Sequence, residues 1–343
     1  MNPLAALMLA MVTSGAPHGS NDPEAQAFEV RSERGFVSVV HNGNSVVVHE
    51  RGNAVARMVI WLGEDAKAPL LANILLSQEP PLPTDALPDG ERGFASSGRA
   101  WAWLVEPTKR YGHGVLGDAV EAGGLAARGE DGSQASIRLP ENSVFEDRFP
   151  RLADIDGDGQ DDIVVVRSYL DAGAAVSVWT LKDGEIVPLG ESAPIGTPNR
   201  WLNPAGIADF DGDGRVEIAA VITPHIGGTL KFYELREGRL VEEAAEPGFS
   251  NHEIGSRVLG MSAVLHGHPA GPLLAVPDNA RSTLRIVAFH GGRFSEWQRI
   301  AHKSAIATDI VAYDLNGDGR DELIYALKDG RLIVVDGASI GAE

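Results

Sequence analysis

An acidic, glycine-bearing loop occurs three times in this chain: DIDGDGQDD from Asp154 to Asp162, DFDGDGRVE from Asp209 to Glu217, and DLNGDGRDE from Asp314 to Glu322. In each copy oxygen-bearing side chains fall at loop positions one, three, five and nine, and the residue at position seven can add its backbone carbonyl, a donor set that suits a hard cation such as Ca²⁺. The glycines let the backbone enter regions closed to other residues, so successive ligands can turn toward one centre. A helical calcium loop would carry its last carboxylate at position twelve and run on into a helix. Here that carboxylate stands at position nine, and IVVVRS, IAAVI or LIYAL follows at once, runs of strand type. The loops therefore join strand to strand.

The spacing says what they are built into. Asp154 and Asp209 lie 55 residues apart, a further 55 residues lead to Val264, and 50 more to Asp314. The segment there, SAVLHGHPAGPLLAVP, keeps the shape of the motif without its chemistry. With Val264, His266, His268 and Pro272 in the ligand positions it reads as a fourth repeat without calcium, and two imidazoles lacking an acidic partner are a poor transition-metal set. A period near 50 residues holding about four strands is the mark of a propeller blade. The first repeat supplies RLADI, DIVVVRS, AAVSVWTL and EIVPLGE; the second supplies AGIADF, EIAAVI, TLKFYEL and RLVEEA. The last offers only DIVAYD, ELIYAL and RLIVVDG. Its fourth strand is expected from the N-terminal part, where FVSVV and SVVVHE flank HNGN, because pairing the two ends of the ring removes exposed edges.

The expected fold is thus all-β, a propeller of four-stranded antiparallel blades, about six or else seven in number, with calcium loops between first and second strands. Repeats are legible from about 145 to 343, and residues 28–144 read as degenerate blades, with a small separate sheet as the alternative. In that region GRAWAWLVEP, HGVLGDAV and QASIRLP read as strands and QEPPLPTDALPDGERG as a loop. LAALMLAMV, from Leu4 to Val12, has the length of a signal-peptide core, is too short to span a membrane, and is followed by Ser14, Gly15 and Ala16. Residues 1–16 are accordingly read as an export signal, 17–27 as a linker and 28–343 as one domain, placed in the periplasm or outside the cell; a cytoplasmic location is the alternative. No other segment reads as transmembrane. The absence of cysteine excludes disulfides, thiolate metal sites and a lipid-bearing cysteine anchor. A net charge of -19 argues against nucleic acid as a partner, since phosphates would be repelled.

The acidic loops running into strands at blade spacing resemble the FG-GAP or VCBS repeats of integrin-like β-propellers, over about Phe145 to Gly337. In that family the loop is a structural calcium site. The resemblance implies up to three Ca²⁺ ions. Asp154, Asp156, Asp158, Gln160 through its carbonyl, and Asp162 would hold the first. Asp209, Asp211, Asp213, Arg215 through its carbonyl, and Glu217 would hold the second; Asp314, Asn316, Asp318, Arg320 through its carbonyl, and Glu322 the third. Asp161 and Asp321, at position eight, are expected to face solvent. The fourth loop departs from the family pattern.

If the calcium loops join first to second strands, the connections between second and third strands and those entering each blade lie on the opposite face. The candidate ligand-binding residues there are Arg110, Tyr111, His113, Arg200, Trp201, Asn203, His225, His252 and Arg257, with RYGHG taken as a segment entering a blade. Planar cations, amides and rings recognise carboxylates or sugar hydroxyls. The alternative is that Trp201 and Tyr111 pack between blades while the polar groups satisfy loop backbones. The functional expectation is a non-catalytic module, held by calcium, that binds a protein or glycan on this face. A lyase acting on uronate-containing polysaccharides is one alternative, with His113 or His252, Tyr111, and Arg200 or Arg257 as base, acid and carboxylate-neutralising cation; a purely structural module is the other. The chain holds no GxSxG, HExxH or phosphate-binding glycine loop to favour another enzyme class.

Overall fold

A computed structural model describes residues 25–341 apart from 33, 42–44, 53–55, 61–68 and 75–80. After a short strand β1 (Ala27–Val30) the chain lays down sets of antiparallel strands in sequence order. The first is β2 (Phe36–His41), β3 (Val46–Glu50), β4 (Ala56–Ile60) and β5 (Leu70–Ile74). The second is β6 (Gly93–Phe94), β7 (Trp101–Thr108), β8 (Glu121–Arg128) and β9 (Gln134–Arg138). A bridging strand β10 (Ser143–Phe145) leads to the third, β11 (Arg151–Ala153), β12 (Asp162–Tyr169), β13 (Gly173–Lys182) and β14 (Glu185–Glu191). The fourth is β15 (Leu202–Ala208), β16 (Glu217–Ile222), β17 (Thr229–Arg236) and β18 (Arg239–Pro247); the fifth is β19 (Ala263–Leu265), β20 (Leu273–Pro277), β21 (Thr283–His290) and β22 (Arg293–Ala301). The sixth comprises β23 (Val311–Tyr313), β24 (Glu322–Ala326) and β25 (Leu332–Val335), completed by β1 on its outer edge.

Neighbouring sets pack on one another, β2 against β24, β23 against β19, β19 against β15, β15 against β12, and β11 against β6, so the contacts run from the first set through the sixth, fifth, fourth and third to the second. Together with the strand order, these successive antiparallel sheets fit the four-stranded blades of a propeller. The sixth set is completed as the repeat pattern requires, but by a different strand. Val30 pairs with Leu332 and Ala27 with Val335, while FVSVV and SVVVHE are β2 and β3 of the first set; HNGN runs into residues outside those described. Strand β1 also starts inside the segment read as a linker. Between the second and third sets β10 pairs with both β8 and β12, fusing them into one nine-stranded sheet.

Second strands are sandwiched between neighbouring sheets, which is why β20, and β16 and β24 after their opening glutamates, read as apolar runs and are buried nearly throughout. Outer strands such as β22 meet water and alternate. Apolar clusters fill the seams between successive sheets: Leu323, Tyr325 and Ile286 between the fifth and sixth, Phe210, Phe232 and Phe289 between the fourth and fifth. One strand expected from the sequence is absent. HGVLGDAV is a connection, because Gly114 and Gly117 take positive φ (67° and 104°), and its Val115 and Leu116 are buried as loop residues.

Candidate metal centres and the opposite face

Each acidic loop follows a leading strand and ends on the first residue of the next, so Ala153 pairs with Asp162, Ala208 with Glu217 and Tyr313 with Glu322. The three loops share one hydrogen-bond plan. The position-one carboxylate accepts the amides of positions four and six: Gly157 and Gly159 donate to Asp154 (2.8 and 3.0 Å), Gly212 and Gly214 to Asp209 (2.8 and 3.0 Å), Gly317 and Gly319 to Asp314 (2.7 and 3.0 Å). All six glycines have positive φ, between 76° and 90°. Position nine reaches back to the amide of position two, from Ile155 to Asp162 (3.0 Å), Phe210 to Glu217 (2.8 Å) and Leu315 to Glu322 (2.7 Å). The backbone thereby aims the carboxylates inward before any ion is considered.

What those carboxylates leave unmet is the test of a cation. Asp162 and Glu217 are buried to 1% and 0% exposure, and Oδ1 of the one and Oε1 of the other have no hydrogen-bond partner. A buried anionic oxygen without a donor is costly. Oxygens of Asp154, Asp156 and Asp162 come within 4.8 Å of one another, as do those of Asp209, Asp211, Asp213 and Glu217. Burial first, then the neighbouring aspartates, pushes Asp162 up to about 6 and Glu217 up to about 7. All-oxygen donors, concentrated charge and orphaned buried atoms fit a hard divalent cation in these two loops. Asp158 stands apart from the first group, its Oδ1 taken by the Gln160 amide at 2.8 Å. The Arg215 guanidinium pairs with Asp213 (2.7 Å) and with buried Glu234 (2.9 Å).

The third loop is built differently. Here Asp318 and Glu322 gather with Asp336, a residue that sequence reading missed; its signal was the aspartate ending RLIVVDG, one residue past β25. The Asn316 amide donates to Glu322 (3.1 Å) and Asp318 (3.3 Å), so no oxygen of Glu322 is left orphaned. Burial, then Asp318 and Asp336, raises Glu322 to about 7. In the fourth repeat the strand pairing puts Leu265 opposite Leu273, which makes His266 rather than Val264 the first loop residue. Its amide donates to Asp321 at 2.8 Å, so Asp321 joins adjacent loops instead of facing solvent. Gly267 packs against the Gly319 carbonyl with no room for a Cβ.

On the opposite face RYGHG connects β7 to β8, a second-to-third-strand connection rather than an entering one, and still lies on the expected side. Five of the candidate residues there meet in one network. The rings of Tyr111 and His113 make an edge contact, and Nδ1 of His113 lies 2.7 Å from buried Glu146. The indole of Trp201 donates to the Glu146 carbonyl (2.9 Å), stacks on His225 and meets His252 edge-on. Nε2 of His252 faces the Ser256 carbonyl (2.9 Å), which only accepts, so the proton sits there and His225 Nε2–H donates to His252 Nδ1 (2.7 Å). Burial holds both histidines down at about 4, hence neutral near pH 7, and burial with the Glu146 charge lifts Tyr111 to about 12.

Trp201 and Tyr111 are 2% and 3% exposed, and Asn203 is buried, donating to the Asn251 and Leu259 carbonyls (3.2 and 2.9 Å). Arg110 is spent on the Ser143 carbonyl (2.5 and 3.0 Å) and Arg200 on that of Asn199 (3.0 Å). Exposed Arg257 pairs with Asp118 (3.0 Å) and Asp89 (3.2 Å). Sequence reading also missed Glu121, 1% exposed and raised to about 9 by burial and then the Glu146 charge.

Among known protein families, residues 154–220 match the model of the FG-GAP-like repeat, which takes in the first two acidic loops and the strands between them. A search of curated proteins found no significant match to the chain. No helix among the described residues is long and apolar enough to cross a membrane.

Proposed function

We propose that this protein is a calcium-stabilised propeller of the FG-GAP-repeat type, working outside the cytoplasm as a non-catalytic module that binds a protein or glycan on the side away from its calcium loops. The observation that carries the reading is the shared amide-to-carboxylate plan of the acidic loops, with the buried, partnerless oxygens of Asp162 and Glu217 at its centre. The matched repeat supports the interaction role. In this proposal Ca²⁺ would be held by the side chains of the first two loops, and by Asp318, Glu322 and Asp336 in the third. The ion supplies charge neutralisation that folds and stiffens the loops, and no chemistry. A non-catalytic role is supported by His252, both of whose nitrogens are committed inside the protein.

The test is thermal unfolding in Ca²⁺, in Mg²⁺ and after chelation. Selective stabilisation by Ca²⁺ is expected, because an ion bound only to the folded state contributes through mass action, about 2.7 kcal/mol at 100 times its Kd. Identical melting in all three conditions would remove the metal from the proposal.

A further inference from the structure

Shared apolar clusters fill the seams from the second set round to the first. Between the first and second sets no such cluster forms among the described residues; Trp103, Val105, Ala126 and Ala86 cluster within the second set alone. At that seam lies a cavity of about 840 Å³, walled by His41 at the end of β2, Thr84, Leu87, Glu91 and Arg92 of the segment entering the second set, and Phe94 of β6. The volume falls in the range of small-ligand sites, about 300–1,000 Å³.

We infer that this cavity binds a short, uncharged oligosaccharide, an inference that goes beyond the reading above, because His41 and Phe94 stand at the ends of β2 and β6 that lead into first-to-second-strand connections, the side of the acidic loops. Concavity favours a small ligand over a protein partner, which needs roughly 800 Å² of surface on each side. Phe94 is 45% exposed although it sits in a strand, and its ring is held 6.4 Å from that of Trp101. A fixed aromatic plane open to water receives the C–H face of a sugar ring. Around it stand groups for hydroxyls: the Glu91 carboxylate, the Arg92 guanidinium, the Thr84 hydroxyl and the His41 imidazole. Two are already positioned, Glu91 by Arg148 at 2.5 Å and Arg92 by the Pro81 carbonyl at 2.9 Å. The Glu91 charge is already met by Arg148, and the chain's charge of -19 opposes an anionic sugar, which selects the uncharged class.

The experiment is calorimetric titration of the full chain, in saturating Ca²⁺, with trisaccharides of glucose, mannose, galactose and N-acetylglucosamine, and with uronate trisaccharides as comparators. At least one neutral trisaccharide is expected to bind. Phe94→Ala should weaken it about tenfold, the equivalent of about 1.4 kcal/mol, with unchanged melting, and Phe94→Trp should retain it. Absence of neutral-sugar binding, preference for uronates, or indifference to Phe94→Ala overturns the inference. Calcium-dependent melting is read independently, so a calcium-held module that binds no sugar refutes this site alone, whereas calcium-indifferent melting refutes the metal reading.

Discussion

Replacing Glu217 by Gln should move stability in opposite directions with and without calcium. Glu217 is fully buried, its Oε2 takes the Phe210 amide, its Oε1 has no partner, and three aspartates crowd it. Without metal, its folded-state value of about 7 stands well above the ordinary 4.5. Between those values the folded chain keeps a proton that the unfolded chain has released. The associated stability is full below pH 4.5 and is lost as pH rises through 7. The shift converts to a ceiling of about 3 kcal/mol; the exposed loop tip lets water screen it, which leaves about 1.5 kcal/mol. At pH 8 in chelator, Glu217→Gln removes this penalty, and its amide can donate to Asp209 or Asp211. The variant should melt roughly 3–6 °C above the parent, at about 2–4 °C per kcal/mol. In Ca²⁺ the carboxylate is a ligand, so the variant should melt below the parent. Calorimetry in the two buffers reads both signs. A shift of the same sign in both, or none in Ca²⁺, refutes the argument.

Further outcomes follow from the same contacts. Trp201→Ala should cost about 3–5 kcal/mol in urea unfolding, the range for emptying a buried aromatic site; a near-neutral result would place the indole outside the core. In saturating Ca²⁺, stability should fall as pH drops from 6.5 toward 4, because His225 and His252 stay unprotonated to about 4 when folded and ionise near 6.5 when unfolded. His252 alone sets a ceiling of about 3 kcal/mol, and a parent profile that is flat over this interval, or one that His252→Gln leaves as steep, contradicts the tautomer chain described. Asp336→Ala should reduce the melting shift that Ca²⁺ produces; a shift equal to the parent's would exclude Asp336 from the third site.

The acidic loops and their flanking strands were legible because one segment carries both signals, ligand spacing and an apolar run forced by burial between sheets. The N-terminal third was not. Strand β8, EAGGLAAR, is buried almost throughout yet has no β-branched residue, and Val115 and Leu116 mimic a strand while serving as loop anchors. The closing strand has only four residues. On the opposite face the residue types were visible but their partners were not: the carbonyl that receives the Trp201 indole lies 55 positions away in sequence, so nothing local marks that ring for the interior. Asp336 was hidden for the same reason, since it reaches the third loop only through the sheet that holds β25.

The sixth sheet joins residues such as Glu29 and Arg331, which are 302 positions apart and form an ion pair. Closing a loop of that length costs about 5 kcal/mol of chain entropy beyond a constant term. Every other sheet can assemble from a contiguous stretch as it becomes available; this one must await both ends. The third acidic loop, with Asp336 beside it, sits at that seal, so an ion bound there would brace the one sheet that chain entropy disfavours most.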